Sequence, residues 1–347
     1  MKAAVLEKLG KPLELHDLEI PNLEYGQILV EVKVSGICGR QIQEIFGHKG
    51  EDKFLPHLMG HEGGGVVKKI GVGVSKCKPG DHVVLHWRPS KGIQSNFPKY
   101  KSKTKKNVIV GGGLVTTFND MSIVSENRVT VVPKSIPFET CALLGCSLTT
   151  ALGLVNNEAK IKIGQSVLIF GSGSVGLSLA QACKMVSAYP IGIVDIKDKK
   201  LEFSKQFGVS NIIKYEKISI KEEINKIYGS RGPEIIIDTV GSPDILNNAY
   251  SLLSPNGKLI MVGQPKNKES IVLENASDNF SGKMIFDSQG GLTDPDEDIK
   301  RYVRIFNNAK SDINKLITNV IEINNINSAI NDIRDGKNLG KTIIKFE

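Results

Sequence analysis

The chain has 347 residues, a formal net charge of +8, 40% hydrophobic residues and 24% charged residues. That is the composition of a soluble globular protein with room for two domains. No stretch approaches the ~18 continuous apolar residues of a transmembrane helix, and Met1-Lys2-Ala3-Ala4-Val5-Leu6-Glu7 lacks the apolar core of a signal peptide, so a cytoplasmic protein off the membrane is expected. The five cysteines, Cys38, Cys77, Cys141, Cys146 and Cys183, are odd in number and scattered. They argue against a disulfide framework and for thiols that are buried or bind metal.

The N-terminus reads as a strand that begins at once. Residues 27–34 alternate apolar and polar with period two, and short strands follow at 65–70, 82–86, 121–124 and 129–132. Lys78-Pro79-Gly80-Asp81 supplies turn chemistry between two of them. Closely spaced short strands predict a compact barrel-like domain. Seven Lys or Arg and no Asp or Glu lie between Arg88 and Lys106.

From about Ser147 the pattern changes. Leu148 to Val155 reads as a connecting helix, and strand signals at 167–170, 191–194, 211–213, 234–238 and 258–262 alternate with helical patterns. A sixth strand is expected at 283–286. This is the pattern of a doubly wound parallel sheet. Residues 294–307 read as a helix and 341–346 as a final strand. The expected domains are 1–150, completed by 290–347, and 151–289. The default place for a substrate is the cleft between them.

Two constellations carry chemistry. The first is Val167-Leu168-Ile169-Phe170-Gly171-Ser172-Gly173-Ser174-Val175-Gly176, a β-branched strand running into G-x-G-x-x-G and a helix. The first glycine makes the turn, the second lets a pyrophosphate approach the backbone, and the third lets helix and strand pack closely. The phosphates then meet free N–H groups at the helix N-terminus. Asp195 ends the next strand, nineteen residues past Gly176, where a ribose-binding acid belongs. A carboxylate there favours NAD over NADP, because it repels a 2′-phosphate. Lys200 can bond the ribose or attract phosphate.

The second constellation is Cys38, His61, Glu62 and Cys146. Two thiols, an imidazole and a carboxylate match a catalytic zinc site with a position left for water or substrate. Taken singly, each thiol reads as a core residue and His61 as a turn histidine.

Gly-Ile-Cys-Gly at 36–39, Gly-His-Glu-Gly at 60–63, Lys-Pro-Gly-Asp at 78–81, Gly-Cys at 145–146 and the nucleotide turn occur in an order that resembles the zinc-dependent medium-chain alcohol dehydrogenases. The resemblance covers essentially the whole chain. It implies an α/β protein, with a GroES-like β-barrel catalytic domain and a Rossmann doubly wound sheet. It implies zinc on Cys38, His61 and Cys146, with Glu62 able to move on and off the metal. It places Thr150 near the nicotinamide and Lys341 within reach of the pyrophosphate, and it suggests a homodimer or homotetramer. Neither nucleic acid nor membrane is an expected partner.

Two departures stand out. Residues 86–113 contain no cysteine, so the four-cysteine lobe that binds a structural zinc in many relatives is missing and one zinc per chain is expected. The first ligand is followed by Gly39-Arg40-Gln41-Ile42-Gln43, where the family commonly has a hydroxyl at residue 40 and a histidine at 43. These would pass the alcohol proton outward. Without them His48, His57, Glu62 and water are the candidates.

The expected reaction is hydride transfer between an alcohol and NAD, with zinc as Lewis acid. Arg40 and the basic segment admit an anionic substrate, such as a phosphorylated polyol or nucleotide-linked sugar. The alternative is a solvated loop with Arg40 paired to Glu62 or Glu44. Two other functions fit less of the sequence: a non-catalytic NAD-binding protein, and a zinc-free quinone or enone reductase.

Overall fold

The computed structural model describes residues 1–216, 219–273, 277, 280–308 and 313–347. The chain forms two compact units, Met1–Thr149 with Asp294–Glu347, and Thr150–Thr293. The division falls inside the helix Ser147–Gly153, which runs on through a wider-wound turn, Leu154–Glu158.

The first unit holds two β-systems. A small closed barrel is built from Lys2–Leu6, Glu14–Glu19, Lys99–Ser102, Ile109–Gly111 and His57–Leu58. A seven-stranded sheet runs Val129–Val132, His82–His86, Glu62–Ile70, Gln27–Gly36, Lys341–Lys345 and Ile317–Ile321, with Met121–Ser125 also on Gln27–Gly36. The predicted single barrel is therefore a barrel and a sheet together. Gln27–Gly36 is the longest strand, and its near-continuous burial fits its central place. Lys341–Lys345 inserts beside it, antiparallel, with Ile344 opposite Ser35.

The segment expected as a basic loop contains the strand Lys99–Ser102, in which Tyr100 and Ser102 face inward and the lysines outward. Tyr100 is fully buried, and its hydroxyl oxygen accepts the Ile123 amide at 3.0 Å. Lys91 pairs with Glu297 at 3.3 Å, and Lys105 pairs with Glu7 and Glu14, both at 2.6 Å. Behind the segment Glu126 accepts the amides of Ser75, Lys76 and Ile93, so backbone hydrogen bonds hold it in shape.

The second unit is a six-stranded parallel sheet in the order Asn211–Lys214, Ile191–Asp195, Val167–Phe170, Ile235–Asp238, Lys258–Met261 and Met284–Asp287. The sequence order reverses at Val167–Phe170, the place where doubly wound sheets bind nucleotides at the strand C-termini. Leu168, Phe170, Val194, Ile213, Ile236 and Leu259 form one apolar core with the helices on that face. No single helix among the described residues is long and apolar enough to cross a membrane.

Candidate active site

The strand Gln27–Gly36 delivers Cys38 two residues past its end, at the start of the helix Gly39–Ile45. His61 and Glu62 stand at the start of Glu62–Ile70, and Cys146 lies between the helices Phe138–Leu144 and Ser147–Gly153. One ligand atom from each of Cys38, His61, Glu62 and Cys146 lies within 4.8 Å of the others. The four residues singled out from the sequence therefore meet, although 108 positions separate the first from the last.

Glycine makes this meeting possible. A Cβ on Gly36 would lie 2.8 Å from both Glu62 Cδ and Lys341 Cε, and one on Gly145 would lie 2.8 Å from Glu62 Cβ and 2.5 Å from the Leu85 carbonyl. Two hydroxyls then hold the Glu62 backbone. Thr117 Oγ1 donates to the Glu62 carbonyl at 3.2 Å, and Ser35 Oγ donates to Thr117 Oγ1 at 2.7 Å.

The donor set fits a zinc ion. His61 Nε2 and Glu62 Oε2 are sealed from solvent and have no hydrogen-bond partner, an arrangement that a cation among them would satisfy. The Cys146 thiol, followed by the His61 imidazole, holds the Cys38 thiol well below its usual range. The same interaction, with burial, pushes Cys146 up, so Cys38 is the thiol that gives up its proton first. Burial pulls His61 down, but the Cys38 thiolate more than offsets it. The other three cysteines are inert by contrast. Burial pushes Cys77, Cys141 and Cys183 to about 12, and all five are free.

Lys341, for which the resemblance implies reach to the pyrophosphate, lies in this structure against Glu62. Its Nζ donates to Glu62 Oε1, and the two side chains are 1% and 0% exposed. Burial opposes both charges. Glu62 is raised despite Lys341, whereas the Glu62 carboxylate and the two thiols more than offset burial at Lys341. Periodicity could not show this pair, because its members are 279 residues apart. Arg40, expected against Glu62 or Glu44, donates from Nη1 to Gln43 Oε1 at 3.1 Å. Burial lowers its pKa, and Glu44 and Cys38 act against that from nearby.

At the nucleotide turn Gly171 has φ +94°, and a Cβ there would press on Thr239 Oγ1 at 2.4 Å. A Cβ on Gly176 would fall 1.9 Å from the Gly171 carbonyl, whereas one on Gly173 meets nothing within 4 Å. The open side of the turn is thus at Gly173, where a phosphate approach is expected. Val175 is half-buried at the head of the helix Ser174–Met185, and Thr150 is buried in Ser147–Gly153.

Asp195 Oδ2 accepts the Ser172 amide at 2.9 Å and the Ser172 hydroxyl at 2.6 Å, and Oδ1 accepts the Lys197 amide at 3.0 Å. It is fixed with one edge on the glycine turn. Burial lowers the Lys200 pKa, and the nearby Asp195 partly restores it. Asp238, not singled out from the sequence, is fully buried at the end of Ile235–Asp238 and accepts the Val240 and Gly241 amides at 3.1 and 2.8 Å. Burial raises it to about 6. An acid ending an apolar run, Ile235-Ile236-Ile237-Asp238, was the signal available for it.

Known proteins resemble this chain along almost its whole length. The alcohol dehydrogenase GroES-like domain family matches residues 24–134, and the zinc-binding dehydrogenase family matches residues 174–308. A class-3 alcohol dehydrogenase of Cereibacter sphaeroides is 25% identical over 378 aligned positions, covering 99% of each chain. An S-(hydroxymethyl)glutathione dehydrogenase of Paracoccus denitrificans is 25% identical over 374, again with 99% of each covered. Among solved structures, a benzyl alcohol dehydrogenase of Acinetobacter calcoaceticus superposes with a TM-score of 0.88 at 27% identity, over 100% of this chain and 99% of that one. With both domain families matched in order and relatives aligned over almost the whole chain, the chain belongs to the zinc-dependent medium-chain alcohol dehydrogenase family and is an oxidoreductase of that family.

Proposed function

We propose that this protein transfers a hydride between a small alcohol and NAD, using one zinc ion per chain. The observation that carries this reading is the convergence of Cys38, His61, Glu62 and Cys146 within 4.8 Å. Lewis acidity toward an alcohol or carbonyl oxygen is what zinc supplies when bound, and a hydride acceptor is what NAD supplies. The protein does the rest. Cys38 and Cys146 offer thiolates, and His61 offers a neutral nitrogen. Lys341 holds Glu62 beside the cluster as a carboxylate that can exchange between ammonium and metal.

The backbone of Gly171–Gly176 receives the pyrophosphate. Asp195, anchored on Ser172, accepts from the adenosine ribose and repels a 2′-phosphate. The missing cysteine lobe supports one zinc rather than two. The ion pairs of Lys91 and Lys105 favour a structural role for much of the basic segment, and a neutral alcohol or polyol is the favoured substrate class. Elemental analysis should return one zinc per chain, and NADH absorbance at 340 nm should rise with members of an alcohol and polyol panel. Two zincs, none, or no turnover with any alcohol would refute the reading.

A further inference from the structure

Away from the metal cluster, the small barrel gathers another set of ligand-type side chains. Glu14 and His16 lie two residues apart on Glu14–Glu19 and therefore share a face, and Glu7 follows the neighbouring strand Lys2–Leu6. One ligand atom from each of Glu7, Glu14 and His16 lies within 4.8 Å of the others. Lys105 Nζ lies 2.6 Å from Glu7 Oε2 and 2.6 Å from Glu14 Oε2, so a cation already bridges the two carboxylates. Its hydrogen bond outweighs burial and holds the Glu7 carboxyl below its usual range, which keeps it ionised.

The ammonium leaves part of the cluster unused. The His16 side chain is 0% exposed, and its Nε2 sits 2.9 Å from Glu7 Oε1. The two atoms face each other without the alignment that a hydrogen bond needs, and both are sealed from solvent with no partner. Metal bonds of ~2.1 Å at right angles set neighbouring ligand atoms about 3 Å apart, which matches this spacing. A metal ion would satisfy this nitrogen and this oxygen, whereas the ammonium is held by the other carboxylate oxygens. Behind the ring, Ser102 Oγ lies 3.0 Å from His16 Nδ1 and accepts the Lys105 amide at 3.0 Å. A serine oxygen has a second lone pair, so it can also accept a hydrogen from Nδ1 and leave Nε2 free to bind a metal.

The cluster of Glu44, Asp52 and His57 lacks this feature. There His57 Nε2 lies 2.9 Å from Asp52 Oδ2 and Nδ1 lies 2.8 Å from the Leu58 carbonyl, so both ring nitrogens are hydrogen-bonded.

We propose that Glu7, Glu14 and His16 form a lysine-gated site for a divalent transition-metal cation that takes mixed nitrogen and oxygen ligands. Lys105 is the resident counter-ion. Its side chain is 37% exposed, so the ammonium can swing into water as the metal enters and return as it leaves. The bound ion ties Glu7 to Glu14–Glu19 and clamps the first two strands of the barrel together. The site is separate from Cys38, His61 and Cys146 and does not depend on the alcohol reading. Because the lysine competes, the ion exchanges and is lost on desalting, and the isolated enzyme keeps its one zinc.

The probe is Mn²⁺, titrated into the zinc-loaded enzyme and followed by the loss of the free-ion EPR signal. Mn²⁺ is the weakest binder of the divalent series and favours oxygen ligands, so it leaves zinc on the thiolates. Lys105→Met should tighten Mn²⁺ roughly tenfold, because neither the two ion pairs nor a nearby positive charge then opposes the ion. His16→Gln should weaken it roughly tenfold or more. If His16→Gln does not fold, Glu14→Gln, at a half-exposed side chain, carries the same test. Asp52→Asn should leave binding as it is. A Lys105→Met protein that binds Mn²⁺ no more tightly than wild type, or ligand variants that bind it as well as wild type, would overturn the site. Loss of Mn²⁺ in Asp52→Asn would place the ion on the other cluster and overturn it equally.

Discussion

Lys341→Met isolates the buried charge pair at the metal cluster. Glu62 and Lys341 are 0% and 1% exposed, and a Cβ on Gly36 would already strike both. Without the ammonium, Glu62 either remains charged in a sealed pocket or takes up a proton. The second route is cheaper. Neutralising a carboxyl of ordinary pKa 4.5 at pH 7 costs about 3 kcal/mol, near the low end of what breaking a buried ion pair usually costs.

The sign follows from linkage. The folded variant holds a proton that the unfolded chain releases above 4.5, so the defect is small near pH 4.5 and grows by about 1.4 kcal/mol per unit as pH rises. Urea unfolding in the presence of a zinc chelator measures it. Glu62→Gln in the Lys341→Met background should recover most of the loss and flatten the pH dependence, since no buried charge then remains. A Lys341→Met defect under about 0.5 kcal/mol at pH 7, or one independent of pH, would refute the argument.

His86 offers a second pH signature. It is 2% exposed, and burial lowers it from 6.5 to about 4. The unfolded chain therefore binds the extra proton between those values. The advantage of wild type over His86→Gln should be full above pH 6.5 and shrink by about 3 kcal/mol as pH falls to 4, measured by urea unfolding of both. Gly36→Ala should lower Tm and zinc occupancy together, because its Cβ would strike both Glu62 and Lys341; unchanged zinc content would contradict the cradle. Asp195→Ala should raise kcat/KM for NADP relative to NAD, and a wild type that already prefers NADP would reverse the assignment.

Legibility in the sequence followed the range of the interactions. The parallel sheet was readable because each strand is a short β-branched run bounded by turn residues, as at Val167–Phe170 and Ile191–Asp195. The metal cluster was readable because few alternatives exist for thiols and a histidine set among glycines. Lys99–Ser102 was hidden by its charge, although Tyr100 and Ser102 alternate inward with the period of a strand. The helix Ile326–Arg334 was obscured by asparagines and β-branched isoleucines, yet Ile326 and Ile330 lie one turn apart on its buried face. The Glu62–Lys341 and Asp52–His57 pairs were out of reach, since each depends on how separate strands and loops are brought together rather than on any local pattern.

The distance in sequence between Glu62 and its counter-ion also sets an order of events during synthesis. The whole of Thr150–Thr293 is made between them. At ordinary elongation rates the 279 positions from Glu62 to Lys341 take roughly 15–55 s to translate. For that interval Cys38, His61, Glu62 and, later, Cys146 exist on a nascent chain without the lysine. A metal ion captured then would meet an unneutralised carboxylate among two thiols and an imidazole. Lys341 would arrive afterwards as a competitor for Glu62, so the order of metal capture and strand insertion could be followed on stalled ribosomes.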